Sequence, residues 1–240
     1  MTALVTRPAA DAAPVAAALR VRGIEVMIEP LLDIRPRRAV SVSLDGVQAV
    51  LATSANGVRA LAAATARRDI PLYAVGEATA ATARAAGFAA VTAAGGDAAS
   101  LAQTVAARLQ PAPGTLLHVA GSAVARDLGA LLESQGFTVR RAVLYDAVES
   151  PALSDAAVAA LGDGRIAMVL FFSPRTVRTF VMLARACGQA GACARATAFC
   201  LSDAVAAEAA ALAWRAVRVA AEPTLVALLA AVDAEQQQRN

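Results

Sequence analysis

The sequence lacks lysine altogether: all 22 of its basic residues are arginine. Without lysine there is no Walker A phosphate loop, no kinase-type strand lysine, no Schiff-base nucleophile and no anchor for pyridoxal phosphate. Histidine is nearly absent as well. The single residue, His118, excludes an HExxH zinc helix and leaves a Ser-His-Asp triad only one candidate base. The three cysteines, Cys187, Cys193 and Cys200, lack CxxC spacing and cannot build a disulfide framework. They read as small buried apolar side chains in a reducing compartment. Long charge-free stretches are also missing. The longest, between Arg108 and Arg126, is interrupted by Pro111, Pro113, Gly114 and His118, so no membrane-spanning helix is expected. The amino terminus, MTALVTRPAAD, meets an arginine and an aspartate too early for a signal peptide, and a cytoplasmic location is expected.

What is present is a large apolar fraction. Hydrophobic residues make up 58% of the 240 and charged ones 17%, which supports a sizeable core and excludes disorder. Alanine, with 67 residues, carries the mean hydropathy of +0.55. The length fits one large domain or two small ones at roughly 150 residues per domain. Net charge is +3 and the arginines are scattered, so no nucleic-acid partner is expected.

Short β-branched runs alternate with alanine-rich helical runs along the whole chain. Strands are expected at 3–6, 47–53, 72–75, 89–92, 115–119, 167–172, 196–201 and 216–219, with two longer extended segments at 25–35 and 138–148. Helices are expected at 11–22, 55–67, 77–86, 98–109, 125–135, 154–161, 174–186, 203–212 and 223–234, followed by a polar, frayed tail from Glu235. Repeated βα units imply an α/β fold of parallel sheets with helices on both faces, and ten or so strands in this length fit two sheets better than one.

The chain also repeats itself. Ser54-Ala-Asn-Gly-Val-Arg-Ala-Leu61 aligns with Ser173-Pro-Arg-Thr-Val-Arg-Thr-Phe180, Glu77-Ala-Thr-Ala with Asp203-Ala-Val-Ala, and Ser100-Leu101 with Thr224-Leu225. Upstream, Arg22-Gly-Ile-Glu-Val26 aligns with Gln135-Gly-Phe-Thr-Val139. The matches keep their order, so the repeat predicts two similar α/β domains. Segments near 30–38 and 142–150 have linker character. The simplest topology crosses between domains twice, with 1–35 plus 150–240 in a discontinuous first domain and 36–149 in the second. The two crossings would pair as a two-stranded ribbon, and the cleft between the domains is the expected site.

In parallel α/β sheets, ligands bind beyond the carboxyl ends of the strands, where helix starts present unpaired N–H groups. This chain places small polar residues there: Ser54 and Asn56, Gly76 and Thr79, Gly121 and Ser122, Ser173 and Arg175, and Ser202. Each turn alone reads equally as a helix cap. Together they suit a ligand with many negative charges, although Glu77 counts against an anion at its own turn. Arg7, at the end of the first strand, could meet a carboxylate. Tyr145 lies in the second linker. A tyrosine phenol, with an ordinary pKa of about 10, keeps its proton at neutral pH and can act as an acid; the alternative is a packed hinge aromatic. His118, Tyr73, Phe88 and Trp214 read as core residues.

Seven segments together resemble the uroporphyrinogen-III synthase family: LVTRP at 4–8, PLLDIRP at 30–36, TSANGVRAL at 53–61, YAVGEATA at 73–80, LYDAVES at 144–150, FFSPRTVRTF at 171–180 and EPTLVALL at 222–229. The resemblance covers nearly the whole chain. It implies two α/β domains joined by a two-stranded ladder and an enzyme of haem biosynthesis, a cyclising hydro-lyase. The implied substrate is hydroxymethylbilane, a linear tetrapyrrole with eight carboxylates. The implied reaction removes its terminal hydroxyl, inverts the last ring through a spiro intermediate and closes uroporphyrinogen III, with no metal or organic cofactor. By resemblance Tyr145 is the catalytic residue assisting loss of hydroxide, and Thr79 matches a threonine near the site. Asp203-Ala204-Val205 stands where relatives often carry threonine. A monomer is expected, with the preceding pathway enzyme as a partner. Two other readings fit the pattern without the resemblance. One is a non-enzymatic two-domain binding or sensor protein for a polyanionic small molecule. The other is a nucleotide-dependent α/β enzyme, for which Gly95-Gly96-Asp97 is only an isolated fragment.

Overall fold

A computed structural model describes residues 1–37, 41–112, 114–122 and 128–238. Arg38 and Pro113, the first residues of the helix expected at 125–135, and the last two residues of the tail lie outside them. The chain divides into two compact units, Met1–Asp33 with Val148–Asn240, and Ile34–Ala147.

The first unit is built on a five-stranded sheet. Its strands are β1 (Thr2–Val5), β2 (Glu25–Ile28), β9 (Ile166–Phe171), β10 (Thr197–Cys200) and β11 (Ala216–Val219). They lie in the order β11-β10-β9-β1-β2 and every pairing is parallel. Side chains alternate across this sheet as strand geometry requires. Leu4, Val169, Phe171, Ala198 and Cys200 pack under the helices α6 (Asp155–Gly162), α7 (Pro174–Ala186) and α8 (Asp203–Ala209). Ala3, Val5, Met168, Leu170 and Phe199 pack under α1 (Ala9–Val21) and α9 (Leu225–Gln237). Phe171, Phe180 and Trp214 form an aromatic cluster with centroids 5.3–5.9 Å apart.

The second unit carries β3 (Leu32–Pro36), β4 (Val47–Ala52), β5 (Leu72–Ala74), β6 (Val91–Ala93), β7 (Thr115–Gly121) and β8 (Val139–Glu149), in the order β3-β8-β7-β4-β5-β6. The strands β8, β7, β4, β5 and β6 are parallel. Helices α2 (Ala55–Ala64) and α3 (Glu77–Ala85) cover one face over Val50, Ala52, Leu72, Ala74, Leu117 and Val119. Helices α4 (Ala98–Ala106) and α5 (Leu128–Glu133) cover the other over Ala49, Leu51, Tyr73 and Leu116. The strands β3 and β8, which carry the chain across the unit boundary, are neighbours. The Arg37 N–H donates to Leu144 O and the Ser150 N–H to Leu31 O, so one strand descends as the other rises.

The internal repeat maps one sheet onto the other. Pairing β4 with β9, β5 with β10, β6 with β11, β7 with β1 and β8 with β2, as the repeated segments require, converts β8-β7-β4-β5-β6 into β2-β1-β9-β10-β11. The two units have one strand order, entered by the chain at different strands. The local chemistry repeats too. Gly23 (φ 71°) and Gly136 (φ 85°) end their helices in the left-handed region that glycine adopts without strain. Ile24 N–H then reaches Leu19 O and Phe137 N–H reaches Leu132 O, the closing bonds of a Schellman cap, and both side chains are buried.

Several boundaries differ from the sequence reading. The extended segment 25–35 is two strands in two sheets, divided at Glu29-Pro30-Leu31. Pro30 offers no N–H to a ladder. The buried Glu29 carboxylate accepts from the Ser154 N–H at 2.7 Å and the Ser154 hydroxyl at 2.6 Å, tying the break to the start of α6. Helix α2 stops at Ala64, where Arg68 closes over its end by donating to Ala62 O and Thr65 O and ties it to the end of α3 by donating to Ala86 O. A 3₁₀ turn at Ala190–Arg195 carries no readable signal in the sequence. The expected frayed tail continues α9 to Gln237, and Glu235 within it is only 8% exposed. Its carboxylate accepts from Arg215, Arg218 and Thr197, which locks α9 onto β10 and β11.

Candidate active site

In each sheet the chain leaves two adjacent central strands in opposite directions. From β4 it enters α2 on one face, and from the neighbouring β7 it runs to α5 on the other. The same divergence separates β9–α7 from β1–α1. Such a switch point opens a crevice at the carboxyl ends of the strands, where α/β folds bind ligands. Residues 53–57 and 121–122 flank the crevice of the six-stranded sheet; residues 5–7 and 171–175 flank that of the five-stranded sheet.

The six-stranded sheet brings four expected residues together. Ser54 caps α2 by accepting the Gly57 N–H at 3.1 Å, and its hydroxyl lies 2.9 Å from the Tyr145 hydroxyl. Tyr145 is buried, with its ring against Gly121. A Cβ at Gly121 would stand 2.7 Å from the ring, so only glycine admits it. Ser122 N–H donates to Tyr145 O at 3.0 Å. Gly57 is equally constrained, since a Cβ there would meet Val119 O at 2.9 Å; α2 therefore sits directly over β7.

A bulge aims the tyrosine. Ala120 pairs with Val143 but Gly121 pairs with Tyr145, leaving one extra residue in β8. Ala142 and Leu144 face the α2–α3 side, and strict alternation would turn Tyr145 away from it. The bulge restores Tyr145 to that side, beside Ser54.

The hydroxyl pair has a definite proton count. A serine hydroxyl donates once and accepts twice, and Ser54 Oγ already accepts from Gly57. If Ser54 donates to Tyr145, the phenol proton is left for a third group. If Tyr145 donates to Ser54, the serine proton is left instead. Either way the pair presents one transferable proton.

The other expected residues are placed as follows. Asn56 is half-buried in the first turn of α2. Gly76 caps α3 in extended conformation and accepts the Thr79 N–H at 3.1 Å, with Thr79 buried; Glu77 pairs with Arg84 on the same helix. Ser173 caps α7 by accepting the Thr176 N–H, and its hydroxyl lies 2.7 Å from that of Thr176. Arg7 stacks 4.6 Å over the Phe172 ring and lies 3.9 Å from Asp11. Arg175 donates to Glu149 at 3.0 Å. Ser202 starts α8 with its backbone, its carbonyl accepting from Val205 and Ala206. Among the described residues, no hydrogen bond or ion pair joins Asn56, Gly76 or Thr79 to Tyr145.

Residues around Tyr145 that the sequence did not single out are ionic. Arg37 on the edge of β3 makes a two-pronged contact with Asp146, at 3.0 and 2.8 Å. The Arg37 guanidinium, with a hydrogen bond from Ser122, holds the Asp146 carboxyl below its ordinary range. Arg141 donates to Gly121 O at 2.7 Å and Ser122 O at 3.1 Å. His118 is buried with Nε2 3.4 Å from the Thr53 hydroxyl. Burial pushes the thiols of Cys193 to about 11 and of Cys200 to about 12, which leaves them unreactive as nucleophiles. Among the described residues, no group of three or more histidine, cysteine, aspartate or glutamate side chains could hold a metal, and no helix is long and apolar enough to cross a membrane.

The whole chain is similar in fold to known proteins. It matches uroporphyrinogen-III synthetase from Helicobacter pylori 26695 with a TM-score of 0.66 and 16% identity, over 98% of this chain and 99% of that one. It matches a mutant uroporphyrinogen III synthase from the extremely thermophilic bacterium Thermus thermophilus with a TM-score of 0.60 and 17% identity, over 99% of both chains. No curated protein sequence matches significantly. A family model described as uroporphyrinogen-III synthase HemD matches residues 13–230. With nearly the full length matched, the chain belongs to the uroporphyrinogen-III synthase family of haem biosynthesis.

Proposed function

We propose that this member of the family is a cyclising hydro-lyase: it converts hydroxymethylbilane to uroporphyrinogen III with loss of water and inversion of the terminal ring. The observation that carries the reading is the Tyr145–Ser54 hydroxyl pair at the switch point of the six-stranded sheet, 2.9 Å apart and seated on Gly121. The pyrrole nitrogen of the substrate pushes out the hydroxyl of the hydroxymethyl group. The proton left over on the hydroxyl pair goes to that departing oxygen, and the C–O bond breaks to release water. Ring closure then forms a carbon–carbon bond at the substituted carbon of the last pyrrole, and rearrangement through the spiro intermediate releases a proton that restores the pair. Atoms balance without an external acid, base or cofactor. The larger task is conformational, because the same cation can close without inversion; orientation decides the product.

The carboxylates are held by helix-start amides and arginines. Asn56, Gly76 and Thr79 serve at helix starts and Gly121 and Ser122 at the end of β7 in the six-stranded unit, and Arg7, Ser173, Arg175 and Ser202 in the five-stranded unit. Backbone N–H groups suit this role in a chain without lysine. The protein acts as a cytoplasmic monomer that receives its short-lived substrate from the preceding enzyme.

The test is to supply fresh hydroxymethylbilane, oxidise the products and separate the uroporphyrin isomers. Predominant isomer III is expected, and Tyr145→Phe lowers kcat about 100-fold while the fold is retained. Isomer I alone from folded protein would overturn the function and favour a binding protein. Wild-type turnover in Tyr145→Phe would overturn only the role of the phenol.

A further inference from the structure

Arg141 has no part in the proton transfer or in carboxylate binding, yet its contacts converge on the tyrosine. It lies on β8 ahead of the bulge, in register with His118 of β7. Alternation puts it on the face opposite Ala142 and Leu144. From there its guanidinium passes the end of β7 and donates to two successive carbonyls, Gly121 O and Ser122 O. Those peptides carry the site. Gly121 is the surface on which the Tyr145 ring rests, and the Ser122 N–H is the donor to Tyr145 O. The bulge itself falls between Ala120 and Gly121, inside the span that Arg141 bridges.

A parallel ladder slipped by one residue turns every later side chain to the other face. Val143, Leu144, Ala147 and Val148 are apolar and resist the slip little; Tyr145 and Asp146 resist it only through their own partners, Ser54 and Arg37. Further resistance comes from any contact on the β7 side of the bulge that differs between the two registers, and the paired carbonyls beneath Arg141 are such a contact. We infer that Arg141 is a positioning residue: by holding the Gly121 and Ser122 carbonyls it fixes the β8 bulge, and through the bulge it holds the Tyr145 hydroxyl at Ser54. The inference rests on the proposed role of Tyr145.

The test is a double-mutant cycle of Arg141→Ala and Tyr145→Phe, read as kcat and KM separately. If Arg141 acts through the phenol, Arg141→Ala lowers kcat about tenfold with KM within about twofold, and in the Tyr145→Phe background it lowers kcat no further. Arg141→Lys, which keeps a single nitrogen donor in place of the Nη2 that makes both contacts, recovers part of the loss and serves if the alanine variant does not fold. A spectroscopic readout is independent of turnover. The chain has two tyrosines, so in Tyr73→Phe protein labelled with fluorotyrosine the only resonance is Tyr145. Arg141→Ala is expected to shift or split it. Multiplicative losses in the cycle, a loss confined to KM, or an unmoved resonance would overturn the inference. If Tyr145→Phe itself turns over normally, the role of the phenol fails, and the fluorine spectrum alone decides whether Arg141 fixes the bulge.

Discussion

The two sheets share a strand order but finish their switch-point strands differently. At the end of β7 the six-stranded sheet has Gly121, paired with Tyr145; at the end of β1 the five-stranded sheet has Val5, paired with Ile28. One serine reaches across to another strand, Ser54 to Tyr145, while its repeat partner Ser173 is satisfied by Thr176 on its own helix. Thr6, which follows β1, is buried and donates to Leu170 O at 2.7 Å. Glu29, which follows β2, is consumed by Ser154. At the five-stranded switch point the hydroxyls of Thr6 and Ser173 and the Glu29 carboxylate are bonded within their own unit. The six-stranded one leaves a hydroxyl pair with a proton to give. The difference comes from two small features, a glycine and a one-residue bulge, rather than from architecture.

The most direct way to break this contrast is to fill the gap. Gly121→Ala places a Cβ 2.7 Å from the Tyr145 ring, and the ring must move away from Ser54. Turnover is expected to fall about tenfold, with a stability loss of about 1–3 kcal/mol from overpacking. A change at the end of β1 in the other sheet, Val5→Ala, removes buried methyls and costs about 2 kcal/mol of stability while turnover of the folded protein stays near wild type. Steady-state kinetics with thermal unfolding checks both. Equal loss of turnover in the two variants would erase the distinction between the sheets.

The helix caps sharpen the contrast at smaller scale. Each of Ser54→Ala and Ser173→Ala removes an N-cap and is expected to cost about 1 kcal/mol of stability. Ser54→Ala also strips Tyr145 of its partner, so kcat should fall a few-fold further. Ser173→Ala has no such link, and its effect is expected in KM, below about threefold. Kinetics that show the larger kcat loss for Ser173→Ala would reverse the assignment of the chemistry to the six-stranded sheet.

Much of this arrangement is legible in the sequence, because turns at strand ends draw on a small set of residues. Ser54, Gly121, Ser122 and Ser173 announce themselves as cap or turn residues between apolar runs, and the repeat of Gly23 and Gly136 marks equivalent helix ends. The β8 bulge is not legible, since Ala142 to Leu144 are all apolar and show no alternation to betray an extra residue. Arg141 reads as half of a charged doublet; its partners are backbone carbonyls, which leave no trace in residue type. Glu29 and Glu235 mislead for a related reason. Glu29 stands among apolar residues beside Pro30 and Glu235 in a polar tail, and each is buried by partners that arrive from remote elements, Ser154 in one case and Arg215 with Arg218 in the other.

The smallest expected effect concerns the strand edge beside the site. Arg37 and Asp146 join β3 to β8 within the six-stranded sheet, both partly exposed. The hydrogen bonds from Arg37 and then Ser122 lower the Asp146 carboxyl below its unfolded value of 3.8. A carboxyl lowered on folding contributes stability that is present above the unfolded value and is lost as pH falls through the lower, folded one. Arg37 is raised by the same contact above the ordinary arginine range, so its share changes only in strong alkali. The acid side is therefore where the link responds. Asp146→Asn should lower the thermal midpoint slightly near pH 6, and the gap from wild type should close towards about pH 2–3. In the five-stranded unit Asp163 meets Arg165 only two residues away, at 3.2 Å, and ties no elements together. Asp163→Asn should leave the midpoint unchanged at both pH values. A gap for Asp146→Asn that persists in acid would show that the substitution acts through packing at β8 rather than through the charge shared with Arg37.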